Sequence, residues 1–350
     1  MKNVFRIIIV LTFLLMIFYF SKDHQTSKPL QGNINDHIAI PQTEIDETIG
    51  LSIPRPEDGL SVYIGQSAAD ITKQFGAPTR IDLSNYAYDW WVYTINEQLL
   101  MFGVENEVVV QVYTNSFQLN VAPYYIGESL DDIYRKTIVE QEISITIGES
   151  IYLFAMNDLD LKTRILVGFD GVLAQLYIDT SSNTLAGIRY INGETLVKHK
   201  AYELQYIGEL MQEEIPSSYV QMEINEASAL QLNDLINTFR VQRELPKLSR
   251  SPIVSGIAAA HSEFLTKQHS QTDVAEGFSI KERLNEYELE FESVAYNDAI
   301  NYTDAIEVVH GWLNSKTHAA ALYDERYNFS GTGVYLNNYT QIYMERKTLD

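Results

Sequence analysis

The sequence predicts an α+β protein in three parts. An N-terminal membrane helix comes first. A domain of two tandem repeats follows, each a helix laid on an antiparallel sheet, and helices backed by a β-hairpin form the C-terminal part. Three observations predict this. An uncharged apolar run opens the chain, a nine-residue pattern recurs 62 residues later, and the last third shows helical apolar spacing before two strand-like runs.

The apolar run is Ile7 to Phe20, fourteen residues without a charge, preceded by Lys2 and Arg6. No small-residue cleavage site follows it; the run closes on Phe18-Tyr19-Phe20-Ser21-Lys22. Fourteen helical residues rise about 21 Å, short of a hydrocarbon core of roughly 30 Å. Val4 and Phe5, with Arg6 reaching back to the interface, narrow the gap. The expectation is a single-pass signal anchor over residues 1–22, basic end inside and the bulk of the chain extracytoplasmic. Cleavage would instead give a secreted protein. Residues 23–55 are polar and aperiodic and read as a flexible tether.

Net charge is −22. Residues 226–350 hold 18 acids and 11 bases, a balance of −7, so −15 lies upstream. Such a surface repels nucleic acid and anionic headgroups, which excludes nucleic acid as a general partner. There is no cysteine, which excludes disulfides, thiol catalysis and thiolate metal sites.

The repeat occupies residues 56–196, as halves of about 56–118 and 119–196. Tyr63-Ile64-Gly65-Gln66-Ser67-Ala68-Ala69-Asp70-Ile71 matches Tyr125-Ile126-Gly127-Glu128-Ser129-Leu130-Asp131-Asp132-Ile133. In each copy Ser precedes Asp by three residues, a capping-box spacing that starts a helix. Tyr86, Tyr88, Trp90 and Val92 alternate as a strand does, and Asp170-Gly171 is a strong hairpin turn. An aromatic strand can bind a partner; core packing is its ordinary reading. Residues 197–225 read as a connector, with a hinge around Pro216.

From 226 to 346 the chain reads as the C-terminal domain. Leu232, Leu235, Ile236 and Phe239 are helically spaced; Ile253 to Gln268 is a second helix; Ala305 to Leu313 is a third, broken at Asn314-Ser315-Lys316-Thr317. Gly333 to Leu336 and Tyr339 to Met344 form a hairpin through Asn337-Asn338. Trp312-Leu313-Asn314-Ser315, His318, Gly331-Thr332-Gly333-Val334 and Tyr339-Thr340-Gln341, together with Ala258, His261-Ser262 and Phe264-Leu265, resemble the bacterial CAP domain. That family includes the cysteine-rich secretory, antigen 5 and plant pathogenesis-related proteins. The resemblance implies an α/β/α sandwich. The central repeat resembles the CAP-associated domain found beside CAP domains in Gram-positive surface proteins, on its paired Ile-Gly-x-Ser starts and Phe75-Gly76-Ala77-Pro78.

Family members with a full site place two His and two acids around one cleft. The resemblance puts the two imidazoles on His269 and His318, the Gly-Glu-Asn motif on Ala295-Tyr296-Asn297, and the second acid on Ser315. The expected binding cleft is therefore His269, Tyr296, Asn297, Ser315 and His318. Two imidazoles with two hydroxyls make a poor zinc site, because no carboxylate neutralises the ion. No cofactor is expected, and His269 and His318 would hold a divalent cation weakly. Asp298 shares a strand face with Tyr296, but reads more simply as a solvated acid, as does Glu292. His261 and His310 read as packing or surface residues. Ser315 and His318 look like a dyad that lacks an orienting acid.

Two functions follow. The first is a non-catalytic, membrane-tethered binding module whose partner is an envelope protein, a peptide or a glycan. The second is a peptidase-like hydrolase using His269 and His318, with Ser315.

Overall fold

The computed structural model describes residues 28–32, 37–40, 53–212, 215–269 and 277–346. No helix among them is long and apolar enough to cross a membrane. The predicted anchor, residues 1–22, lies outside the described residues. Two short strands, β1 (Leu30–Gln31) and β2 (His37–Ala39), fall inside the stretch read as a flexible tether. That reading is corrected here. Strands of two and three residues pair only on the edges of sheets built by other segments, so they leave no periodic signal in sequence.

Both repeat helices start as their spacing predicts. The hydroxyls of Ser67 and Ser129 accept the amides of Asp70 and Asp132 and donate to the same residues' carboxylates at 2.6 Å. They open α1 (Ala68–Phe75), which stops at Gly76, and α2 (Leu130–Lys136). The first half continues through β3 (Arg80–Asp82), β4 (Asp89–Ile95), β5 (Gln98–Glu105) and β6 (Val108–Thr114). Its two tight turns, Asn96-Glu97 and Asn106-Glu107, each hold both residues at positive φ, the twist that suits two-residue hairpins. The second half runs β7 (Glu142–Ile147), β8 (Ser150–Ala155), the single turn α3 (Asp160–Thr163), β9 (Arg164–Phe169), β10 (Val172–Asp179) and β11 (Thr184–Ile191).

The halves do not keep separate sheets. β11 pairs antiparallel with β6, so one seven-stranded sheet runs β3-β4-β5-β6-β11-β10-β9 across the repeat. The predicted connector is partly structured. It contains the end of α4 (Gly193–His199) and β12 (Glu203–Ile207), which joins a second sheet in the order β2-β12-β8-β7.

The C-terminal domain begins with α5 (Ser218–Gln242), capped by the Ser217 hydroxyl. Then come β13 (Ser249–Arg250), α6 (Pro252–His269), α7 (Ile280–Glu286), β14 (Ser293–Ile300), α8 (Ala305–Leu313), α9 (Lys316–Leu322), β15 (Phe329–Tyr335) and β16 (Asn338–Glu345). The sheet order is β1-β14-β16-β15-β13. The final hairpin turns at Leu336-Asn337, one residue before the expected position. One face of this sheet packs on α6 and α7 through Val254, Ala258, Leu284 and Ile342. The other face packs on α5 and α8 through Leu232, Leu235, Val309 and Trp312. This is a three-layer sandwich. Gly333 sets the first contact: a Cβ there would stand 1.9 Å from the Ala259 amide nitrogen, so only glycine lets α6 lie on the strand.

The second core does not stop at the domain edge. Tyr88, Trp90, Met101, Tyr113 and Tyr177 of the seven-stranded sheet share it with α5 and α8. The alternating aromatic run is thus core, and it is the core between the two domains.

Candidate ligand-binding cleft

The sequence-expected site residues fall on β14, on α9 and at the end of α6. Alternation along β14 sends Tyr296 and Asp298 to the α6 face and Asn297 to the α9 face. The structure therefore divides the expected group between two faces of one strand.

On the first face, His261 of α6 lies 3.1 Å from Asp298, Nε2 to Oδ2, and both are buried. The other carboxylate oxygen accepts the Thr340 hydroxyl at 2.8 Å, and Thr340 accepts from Ser262 at 3.0 Å. An ionised carboxylate only accepts, so His261 donates from Nε2. Its buried Nδ1 has no hydrogen-bond partner. Tyr296 meets the His261 ring edge-on at 5.6 Å, and Phe278 and Phe264 close this side. Burial, then the Asp298 charge, raises the Tyr296 phenol above its ordinary value.

This corrects two expectations. Asp298, read as a solvated acid, is 2% exposed and fully engaged. His261, read as packing or surface, carries one end of a buried polar chain. The signal was present in the strand face shared by Tyr296 and Asp298, but the partner lies 37 residues away on α6. The side chain of His269 lies outside the described residues.

On the second face, the Asn297 amide donates to the His318 backbone carbonyl at 2.9 Å and to the Tyr343 hydroxyl at 3.2 Å. Ser315 occupies the N-cap position of α9, yet its hydroxyl caps nothing. It lies 2.7 Å from His318 Nδ1 instead. The His318 ring is parallel to the Trp312 indole, centroids 6.4 Å apart, and its buried Nε2 makes no hydrogen bond of ordinary geometry, although the Lys28 carbonyl acts on the ring. Burial lowers the His318 pKa, with the Asp298 charge and the Lys28 backbone carbonyl pulling the other way. The ring is therefore neutral at pH 7, and a neutral ring accepting from Ser315 carries its proton on Nε2. No group of three or more His, Cys, Asp and Glu among the described residues is arranged to hold a metal.

Beside this face, between the domains, lies a cavity of about 250 Å³. Leu30, Tyr177, Tyr302, Glu307, His310 and Ser315 are among its walls. Sequence reasoning missed the polar network behind it. Arg189 is fully buried and pairs with Asp304 at 2.7 Å. Arg164 joins Glu307 at 2.6 Å and Asp160 at 2.9 Å. Tyr177 donates to Glu307 at 2.9 Å. His310 and His199 bond Tyr113 and Tyr88. Burial, then the Arg189 charge, lowers both imidazoles, His310 to about 3 and His199 well below its ordinary value.

The comparisons with known proteins agree with this architecture. Residues 64–202 match the model of the CAP-associated N-terminal family, and residues 234–344 match that of the cysteine-rich secretory protein family. An uncharacterised membrane protein of Bacillus subtilis strain 168, YlbC, is 33% identical over 353 residues, covering 99% of this chain and 100% of the relative. An extracellular protein containing an SCP domain from Bacillus anthracis strain Ames is 29% identical, with TM-score 0.76 over 86% of this chain and 100% of that one. A cysteine-rich secretory protein from Staphylococcus aureus Mu50 shares the fold, with TM-score 0.75 at 21% identity over 91% of this chain and 100% of that one. The chain belongs to the cysteine-rich secretory protein, or CAP, family, with a CAP-associated domain in front of the CAP domain.

Proposed function

We propose that the chain is a membrane-tethered, extracytoplasmic binding module of a Gram-positive cell envelope that performs no catalysis. One observation carries this reading. Asp298, the carboxylate whose charge acts on His318, is itself taken up by His261 and Thr340, while His318 is neutral and buried. That arrangement offers a fixed donor to a ligand but gives no acid to orient a base. The partner is an envelope protein, a peptide or a glycan. Two printed names support the location: the Bacillus subtilis relative is called a membrane protein and the Bacillus anthracis one extracellular. The anchor is residues 1–22, and an intact N-terminal peptide recovered from membrane fractions tests it.

A second reading is favoured by one distance. Ser315 Oγ stands 2.7 Å from His318 Nδ1, within the reach of a nucleophile and its base. A fluorophosphonate probe separates the two readings. The binding module leaves Ser315 unlabelled and loses a cross-linked envelope partner on His318→Ala. Labelling of Ser315 that His318→Ala abolishes would establish the hydrolase.

A further inference from the structure

We propose that the outer edge of β14 is a binding site for an extended peptide carrying leucine two residues before glycine, and that residues 28–32 of this chain are its resident occupant. This rests on the binding-module reading and names the ligand class for that cleft.

The edge is read residue by residue. Leu30 sits opposite Ala299 and Gln31 opposite Ile300 in a parallel pairing, and the Gly32 amide donates to the Ile300 carbonyl at 2.8 Å. Two side-chain positions are selective. Gly311 leaves a notch in α8: a Cβ there would stand 3.0 Å from Leu30 Cδ2 and 2.7 Å from the Tyr302 hydroxyl. Leu30 fills that notch and packs on the core shared by the two domains. At Gly32 a Cβ would stand 2.2 Å from the Asn301 carbonyl oxygen, against backbone that cannot turn aside. The site thus takes a branched apolar side chain at one position and no side chain two residues later.

This edge opens onto the candidate cleft. Residues 30–32 form one wall of the interdomain cavity, and Ser315 stands in another. The Lys28 carbonyl acts on the His318 ring. The resident segment therefore covers the approach to the Ser315–His318 pair. Its hold is slight, because a two-residue strand offers few backbone bonds, and segments of that kind open at low free energy. Its advantage is that it is tethered, which amounts to an effective concentration of order millimolar. An incoming segment of the same pattern gains the same main-chain bonds, the mode by which extended peptides add to sheet edges. Without an occupant, β14 would present an unpaired edge, which native sheets avoid.

The test uses the full-length chain and a fluorescent peptide with the sequence of residues 27–33. Gly32→Val expels the resident segment by the steric contact above. Gly32 itself lies outside the hydrophobic cores, and only Leu30 of the expelled segment packs on one, so the melting transition should stay single and cooperative and fall only slightly. By anisotropy, the peptide is expected to bind Gly32→Val at least about tenfold more tightly than the unaltered protein, which its own segment blocks. The same peptide with its own glycine replaced by valine is expected not to bind. Equal binding to both proteins, or none to Gly32→Val with its melting still cooperative, overturns the proposal. In that case a His318-dependent envelope partner would still support the binding module, so the two failures are distinct.

Discussion

The pair formed by Arg189 and Asp304 gives the most demanding test of how the domains are joined. Arg189 stands on β11 of the central domain and is fully buried. Asp304 caps α8 of the CAP domain, with Oδ1 accepting the amides of Ile306 and Glu307 at 3.0 Å and Oδ2 accepting Arg189 at 2.7 Å. Arg189→Met leaves a buried carboxylate without its cation. Asp304→Asn keeps an acceptor for the cap and leaves a buried guanidinium without its anion. Stranding one charge of a buried pair costs about 3–5 kcal/mol. Either single change should therefore lower stability by that amount. The double replacement strands nothing, and removing a whole buried pair is often close to neutral. Its cost should fall below the sum of the singles by at least about 2 kcal/mol.

Urea melts followed by tryptophan fluorescence measure this, because Trp90 of the central domain and Trp312 of the CAP domain lie in the same core. A shared core requires one transition in all four proteins. Additivity within about 0.5 kcal/mol would show that the two charges do not depend on each other. Two separated transitions would show that the domains melt as independent bodies. Either result refutes the reasoning.

Three further outcomes are expected. His199, His310 and His318 all have pKa values lowered by burial, so between about pH 6.5 and their folded values the unfolded chain holds more protons. Stability is full above about pH 6.5 and falls as pH drops below it, by up to about 1.4 kcal/mol per pH unit for each histidine; a urea midpoint unchanged between pH 7 and pH 5 contradicts this. Gly333→Ala forces α6 off β15, because its Cβ meets the Ala259 backbone at 1.9 Å. Overpacking of that kind costs about 1–3 kcal/mol or more, and a melt within error of the parent protein contradicts it. Zinc titration by calorimetry should show weak binding at most, since Asp298 is engaged by His261 and Thr340; one tightly held zinc per chain contradicts it.

What the sequence made legible was local. The Ser67 and Ser129 caps, the Asp170-Gly171 turn and the Ser315–His318 pair each join residues within three positions of one another. Backbone geometry alone brings such groups together, so spacing reveals them. His261 with Asp298 spans 37 positions, Arg189 with Asp304 spans 115, and Arg164 with Glu307 spans 143. No period links partners that only the tertiary fold brings together, and each polar residue taken alone reads as solvated surface.

The same reason explains why charge misled where apolar pattern did not. An apolar side chain in a periodic run has one destination, the buried face, and Tyr88 and Trp90 reached it. An acid in a run has two destinations, solvent or a partner, and alternation cannot choose between them. Asp298 sits between Asn297 and Ala299 on a strand buried on both faces. Sheets covered on both faces lose the wet-and-dry alternation that marks exposed ones. The predicted third helix and second helix already supplied those two covers. An acid on such a strand must have a partner, and the search for one leads to α6 and His261.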